Sequence, residues 1–201
     1  MLRIRDLRAD GVDVRALDTQ SGECVVIMGA SGTGKSLMLR AIADLDPNDG
    51  EVSLNGSSRD NMPANEWRRR VALVPAESGW WADIVGEHLA TGSNTDKLLA
   101  DLGLPAEALR WTVSRLSTGE RHRLAIVRAL SHKPDVLLLD EPSSSLDQSS
   151  NERLEIVLKR LLGEGVSIVL ITHDSAQAER LGDRTLTMTN GRLVDQSMTA
   201  G

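Results

Sequence analysis

The stretch GASGTGKS, residues 29–36, sets glycines, a lysine and a serine at the spacing G-x4-G-K-[ST], between the apolar run CVVIM and a helical pattern. Gly29, Gly32 and Gly34 carry no Cβ, so consecutive backbone N–H groups can turn inward onto β- and γ-phosphates. Lys35 adds a positive charge, and the Ser36 hydroxyl suits Mg2+. Two carboxylates close the run VLLLDEP. Asp140 is placed to serve the metal, directly or through its water, and Glu141 to take the proton of an attacking water. His173, in ITHD, emerges from another apolar run, where an imidazole reaches the terminal phosphate or that water. LSTGERHRLAIVRAL, residues 116–130, opens a helix. Ser117 caps it, Glu120 completes a capping box, and Leu124, Ile126, Val127 and Leu130 form an apolar stripe. A Ser-Gly helix start is a second anion-binding geometry, far downstream of the first.

These residues need a scaffold, and the pattern supplies one. CVVIM is strand-like and leads into a helix over about 35–44; EVSLNG and RVALVP read as strands. DVLLLD and VSIVLIT are continuous apolar runs of the kind buried on both faces of a sheet. A helix near 151–162 separates them, and DSAQAERL reads as a short helix after the second. Asn190-Gly191 between alternating runs signals a hairpin. Alternating strands and helices imply a largely parallel α/β sheet with its reactive loops at the strand C-termini. The stretch from about 83 to 113 breaks that alternation. It is helical in character, punctuated by Gly92, Gly103 and Pro105, and reads as an insertion.

Composition narrows the classes. The chain has 201 residues, 40% apolar, with a formal net charge of −6, enough for a sizeable core and without the basic face that nucleic-acid binding requires. Arg68-Arg69-Arg70 reads as a solvated helix end. The single cysteine, Cys24, lies in an apolar run and reads as a buried hydrophobe, and one Cys with four His gives no zinc cluster. MLRIRDLRAD lacks the apolar stretch of a secretory signal, and no apolar run is long enough to cross a bilayer. A soluble, cytoplasmic chain is expected, with any membrane role acting through a partner. Trp67 and Trp111 read as packing residues, and His88, His122 and His132 as surface or structural.

Together the motifs resemble the ATP-binding cassette ATPases, the nucleotide-binding subunits of ABC transporters, over essentially the whole chain. GASGTGKS matches Walker A, VLLLDEP matches Walker B with its catalytic Glu, SSSLD resembles the D-loop, His173 falls at the switch histidine, and LSTGE resembles the LSGGQ signature. The resemblance implies an α/β fold with a RecA-like P-loop NTPase core, a small antiparallel β region and a short helical insertion. One cassette would span 1–201, with the core over 1–76 and 117–201 and the insertion at about 77–116. It implies ATP and Mg2+ as ligands. Gly29, Ala30, Ser31, Gly32, Thr33, Gly34, Lys35, Ser36 and Leu37 would hold the nucleotide, Ser36 and Asp140 the metal, with Glu141, His173 and Lys35 serving catalysis. Two subunits would pair head to tail, so that Ser117 and the Gly119 amide contact the partner's ATP; the second cradle serves the second nucleotide. Transmembrane transporter subunits are the implied partners, and the inner face of the cell membrane the implied location.

The sequence departs from that pattern in places. Thr118 and Glu120 differ from the LSGGQ signature. Where the family places a Gln after a strand like VALVP, this chain has Ala76 followed by Glu77, which either replaces the lost contact or leaves it lost. No aromatic precedes Trp67 to stack on adenine, which leaves Arg8 as a candidate or a solvated residue. Trp80 and Trp81 divide between packing and an interface with the membrane subunit. The compact insertion is similar to that of export-type subunits. Rival expectations are a weakly hydrolysing nucleotide-gated switch and a soluble, non-transport ABC ATPase.

Overall fold

The computed structural model describes residues 1–89 and 94–195. Its centre is a six-stranded sheet built from β3 (Cys24–Met28), β6 (Val71–Val74), β7 (Val136–Asp140), β8 (Ser167–Ile171), β9 (Arg184–Thr189) and β10 (Arg192–Asp195). The spatial order is β10-β9-β3-β8-β7-β6, and all neighbours run parallel except the β9–β10 hairpin. A second, antiparallel sheet has the order β2-β1-β4-β5, from β1 (Leu2–Ala9), β2 (Val12–Thr19), β4 (Asp49–Leu54) and β5 (Ser57–Ser58). The Asp10-Gly11 turn that joins β1 to β2 is a legible hairpin signal that the motif-centred reading passed over.

Apolar runs without alternation are buried on both sides, and the two cores show how. Cys24, Val26, Leu137, Leu139, Ile168 and Leu170 face one core, which also takes in α4 (Thr118–Ser131) and α5 (Gln148–Gly163). Val25, Ile27, Val136, Leu138, Val169 and Ile171 face the other, shared with the antiparallel sheet and α1 (Lys35–Ile42). Cys24 is inert within this arrangement: burial pushes its thiol pKa up to about 12. Trp67, on α2 (Ala64–Arg70), is fully buried, and its indole N–H donates to the Ile42 carbonyl at 2.9 Å. The arginine run ends α2. Arg70 bonds Asp135 and Arg68 reaches the Asp44 carbonyl, so two of its members tie the helix down rather than only solvating it.

Three expectations are corrected. α1 stops at Ile42, because Asp44 adopts a left-handed φ of 59°. The helix expected near 151–162 starts earlier, at Gln148, because the Asp147 carboxylate caps it by accepting the Ser150 N–H. The stretch from about 83 to 113 is mostly not α-helical. Short 3-10 turns at Val85–His88, Ala106–Arg110 and Val113–Arg115 flank one seven-residue helix, α3 (Thr95–Asp101). An isolated bridge between Ile84 and Thr112 closes the segment. Its apolar residues still reach the core, and Gly103 and Pro105 separate α3 from the turn that follows. Gly92 lies outside the described residues.

Candidate active site

Every reactive loop leaves the parallel sheet at a strand C-terminus, and the strand order decides which loops meet. β8 lies between β3 and β7, so His173 emerges between the loop after β3 and the carboxylates after β7. The loop over 29–34 feeds α1. Gly34 stands at its N-cap with φ 99° and offers no side-chain cap, and the first turn holds no acidic residue. The leading N–H groups of α1 therefore remain suited to an anion. Gly29 is obligatory for a packing reason, since a Cβ there would run into the Met188 carbonyl of β9. The hairpin also braces the loop from above: the Gly191 N–H donates to the Thr33 carbonyl at 3.0 Å. Asn190-Gly191 was legible as a turn, but its buttressing of the cradle was not.

Lys35 is buried, and its ammonium donates to the Gly29 and Ala30 carbonyls, both at 2.8 Å. Thr33 closes the loop locally by donating its hydroxyl to the Ala30 carbonyl. Ser31, Gly32, Gly34, Lys35, Ser36, Leu37 and Glu141 line one cavity of about 260 Å³. Asp140 is buried beside it. Burial pushes its carboxyl pKa above the ordinary range, and the Glu141 charge adds to this, while the Ser36 hydroxyl and the Lys35 ammonium pull the other way. A buried carboxylate against a serine hydroxyl is a hard oxygen donor set, and it fits Mg2+.

Glu141 takes a left-handed φ of 50°, a conformation costing about 1–3 kcal/mol for a residue with a side chain. Neighbouring strands hold it there. Its N–H donates to the Ile171 carbonyl at 3.0 Å, and its own carbonyl accepts the Ser144 hydroxyl at 3.0 Å. The consequence is that its carboxylate meets His173: Nε2 lies 2.8 Å from Oε1. The structure thus brings together the cradle, Lys35, Ser36, Asp140, Glu141 and His173.

Ser117 and Gly119 stand elsewhere, at the start of α4. Ser117 makes a complete capping box with Glu120, and its hydroxyl and N–H both donate to Glu120 Oε2 at 2.9 Å. Those bonds hold the Glu120 carboxyl below the usual range. Gly119 lies against the D-loop, where a Cβ would approach the Ser145 carbonyl to 3.2 Å. A separate cavity lies beside this helix start, lined by Ala76, Glu77, Ser78, Leu116, Thr118, Arg121 and His122. Arg8 lines another cavity, with Ala9, Asp10, Pro47, Asn48 and Asp49. Trp80 packs against the core, in line with a packing role, whereas Trp81 is 73% exposed. His88 and His122 are buried and His132 is exposed.

Comparisons agree with this geometry. The family model described as ABC transporter matches residues 12–144, more than half of the chain. An Fe(3+) ions import ATP-binding protein of Streptomyces coelicolor is 37% identical over 199 residues, covering 91% of this chain and 56% of the relative. The chain thus spans little more than half of that relative's length. An aliphatic sulfonates import ATP-binding protein of Agrobacterium fabrum is 33% identical, covering 92% of this chain and 74% of its own. Among solved structures, a dimeric ATP-binding cassette in a post-hydrolysis state, bound to ADP and phosphate, superposes with a TM-score of 0.80 at 25% identity, covering 96% of both chains. With motif order, sheet topology and sequence similarity in agreement, the chain belongs to the ABC transporter family, among its ATP-binding cassettes.

Proposed function

We propose that this chain is an ATP-binding and ATP-hydrolysing subunit that powers an ABC transporter through transmembrane subunits. The observation that carries the reading is the shared cavity, in which the phosphate cradle and Glu141 face one space and His173 holds the Glu141 carboxylate. In this reading the backbone N–H groups from Gly29 to Leu37 cradle the nucleotide phosphates. The Lys35 ammonium exchanges its two loop carbonyls for phosphate oxygens. Ser36 and Asp140 would hold Mg2+, which when bound would neutralise negative charge on the phosphates. Glu141 takes the proton of the attacking water, and His173 orients that carboxylate from the adjacent strand end.

The start of α4 supplies the other half of a composite site. Ser117 gives up its bond to Glu120 and, with the Gly119 N–H, contacts nucleotide held by a second copy. Two copies then close head to tail around two nucleotides. Among the described residues no helix is long and apolar enough to cross a membrane, which suits a subunit that works peripherally at the inner face. Exposed Trp81 offers an anchor for the membrane partner. The matched relatives are named for import of iron, sulfonates or sulfate, and they favour import over the export direction that the compact insertion suggested.

Ala76 favours one second reading, a switch that binds nucleotide, dimerises and hydrolyses slowly. Single-turnover phosphate release with wild type and Glu141→Gln separates the two. The wild type is expected to release phosphate. The variant keeps nucleotide binding, accumulates as an ATP-bound dimer and slows by about 10²- to 10⁴-fold. A wild type that dimerises without releasing phosphate is the switch, and wild-type turnover in the variant removes Glu141 from the chemistry.

A further inference from the structure

The loop after β7 is bonded to the segment after β8 through both main chain and side chains. The Glu141 N–H donates to the Ile171 carbonyl at 3.0 Å, and the Glu141 carboxylate meets His173 at 2.8 Å. Just beyond Glu141, the Ser143 hydroxyl donates to Gln177 Oε1 at 3.2 Å. Gln177 lies on α6 (Ser175–Leu181), whose start is capped by the Asp174 carboxylate, which accepts the Ala176 and Gln177 N–H groups at 2.9 and 3.1 Å. His173 directly precedes that cap, so one short run of chain carries both the imidazole and the amide. Gln177 is 1% exposed and shares the buried face of α6 with Ala178 and Leu181. A buried amide costs desolvation and rotamer entropy that an apolar side chain at the same place would largely avoid. What it gains here is a directional bond to Ser143.

We propose that Gln177 is a positioning residue: through Ser143 it fixes the turn after β7 against α6, and so holds the Glu141 carboxylate in place against His173. The inference rests on the reading that Glu141 takes the proton of the attacking water. Glu141 holds a left-handed φ of 50°, and such a conformation persists only where the surroundings over-determine it. The Ser144 hydroxyl and N–H both donate to the Glu141 carbonyl, but Ser144 belongs to the same turn and moves with it. The Ser143–Gln177 bond instead ties that turn to a separate element. Pro142 stands between Glu141 and Ser143, is buried, and has a ring-fixed φ. Restraint applied at Ser143 therefore reaches Glu141 through a stiff link. The cradle is held by other bonds, from Lys35 to the Gly29 and Ala30 carbonyls and from Thr33 to Ala30, so loss of the Ser143–Gln177 bond leaves it intact.

A double-mutant cycle in the full chain tests this. Gln177→Met removes the acceptor at similar side-chain length, Ser143→Ala removes the donor, and the two are also combined. The kcat for phosphate release and the ATP affinity of the monomer are measured for each, and again in the Glu141→Gln background. Each single substitution is expected to lower kcat at least about fivefold, with monomer ATP affinity within about twofold of wild type. The double variant is expected to match the worse single, since the same bond is missing in all of them. With Glu141→Gln no base remains to be aligned, and there Gln177→Met is expected to change the residual rate by less than about twofold. A smaller loss of kcat in either single overturns the proposal, as do multiplied losses in the double or a parallel fall in ATP affinity. Should Gln177→Met fail to fold, Ser143→Ala decides, through its kcat and the disappearance of its effect beside Glu141→Gln. Wild-type turnover in Glu141→Gln overturns the general-base reading and this inference with it. A slow Glu141→Gln with indifferent Ser143 and Gln177 variants overturns this inference alone.

Discussion

At position 76 a methyl group stands where the family places a glutamine, and neither metal coordination nor water orientation is within its chemistry. Glu77 is the adjacent candidate to compensate. It is exposed and lines the cavity with Thr118, Arg121 and His122, whereas the cradle cavity is lined by Glu141 and residues 31–37. An exposed carboxylate lining a different cavity favours solvation, and loss of the contact rather than its replacement is the expected outcome. Glu77→Ala is accordingly expected to leave turnover within about twofold, and Ala76→Gln to speed hydrolysis by restoring a polar reach. A Mg2+ titration of both variants checks this. A fall of about tenfold or more with Glu77→Ala, an activation cost near 1.4 kcal/mol, together with a raised Mg2+ requirement, would show that Glu77 does serve the metal.

The start of α4 is a structural cap and, in the proposed dimer, also the surface that meets the partner's nucleotide. Ser117→Ala removes the side-chain acceptor of the Glu120 N–H and is expected to cost about 1 kcal/mol. Glu120 adds a pH dependence. Its folded-state pKa is depressed by the Ser117 N–H and hydroxyl, so the stability it contributes is complete above the ordinary carboxylate range and is lost as pH falls through the folded value. Asp147, capping α5, is depressed by the Ser150 N–H and titrates in the same direction. Glu120→Gln keeps the capping box with a neutral amide. Urea midpoints at pH 7 should therefore fall below wild type by what the ionised carboxylate contributes, while the loss between pH 5 and about 3 becomes shallower. An unchanged acid limb in this variant would mean that the cap carboxylate does not contribute to acid sensitivity.

Across the whole molecule, the cradle and the start of α4 occupy separate cavities of one chain, which is what a shared head-to-tail site requires. Lys35→Ala damages the cradle and Ser117→Arg damages the opposing helix start. Each protein alone is expected to fail in ATP-driven dimerisation, although Ser117→Arg still binds ATP as a monomer. Mixed in equal amounts, they form heterodimers with one site carrying both defects and one carrying neither. Sedimentation or size exclusion with ATP should then show a dimer absent from either parent, with partial phosphate release. A mixture with no more dimer or activity than its parents argues against the shared site.

The chemistry was readable from the amino acids because it is local. The P-loop spacing, the paired carboxylates after an apolar run, the Ser117–Glu120 box and the Asn190-Gly191 turn each involve a few consecutive residues, and their geometry follows from backbone sterics and short-range hydrogen bonds. Strand order is different in kind. That β8 intervenes between β3 and β7, bringing His173 onto Glu141, depends on pairings between segments far apart in the chain. The same holds for the hairpin bracing Thr33 and for the burial of His122. The stretch from about 83 to 113 has helical character in its sequence yet folds mostly as 3-10 turns, because its apolar residues are set by the core they reach and packing overrides a weak local propensity there. Periodicity carries the identity of a face; only the folded packing selects what that face meets.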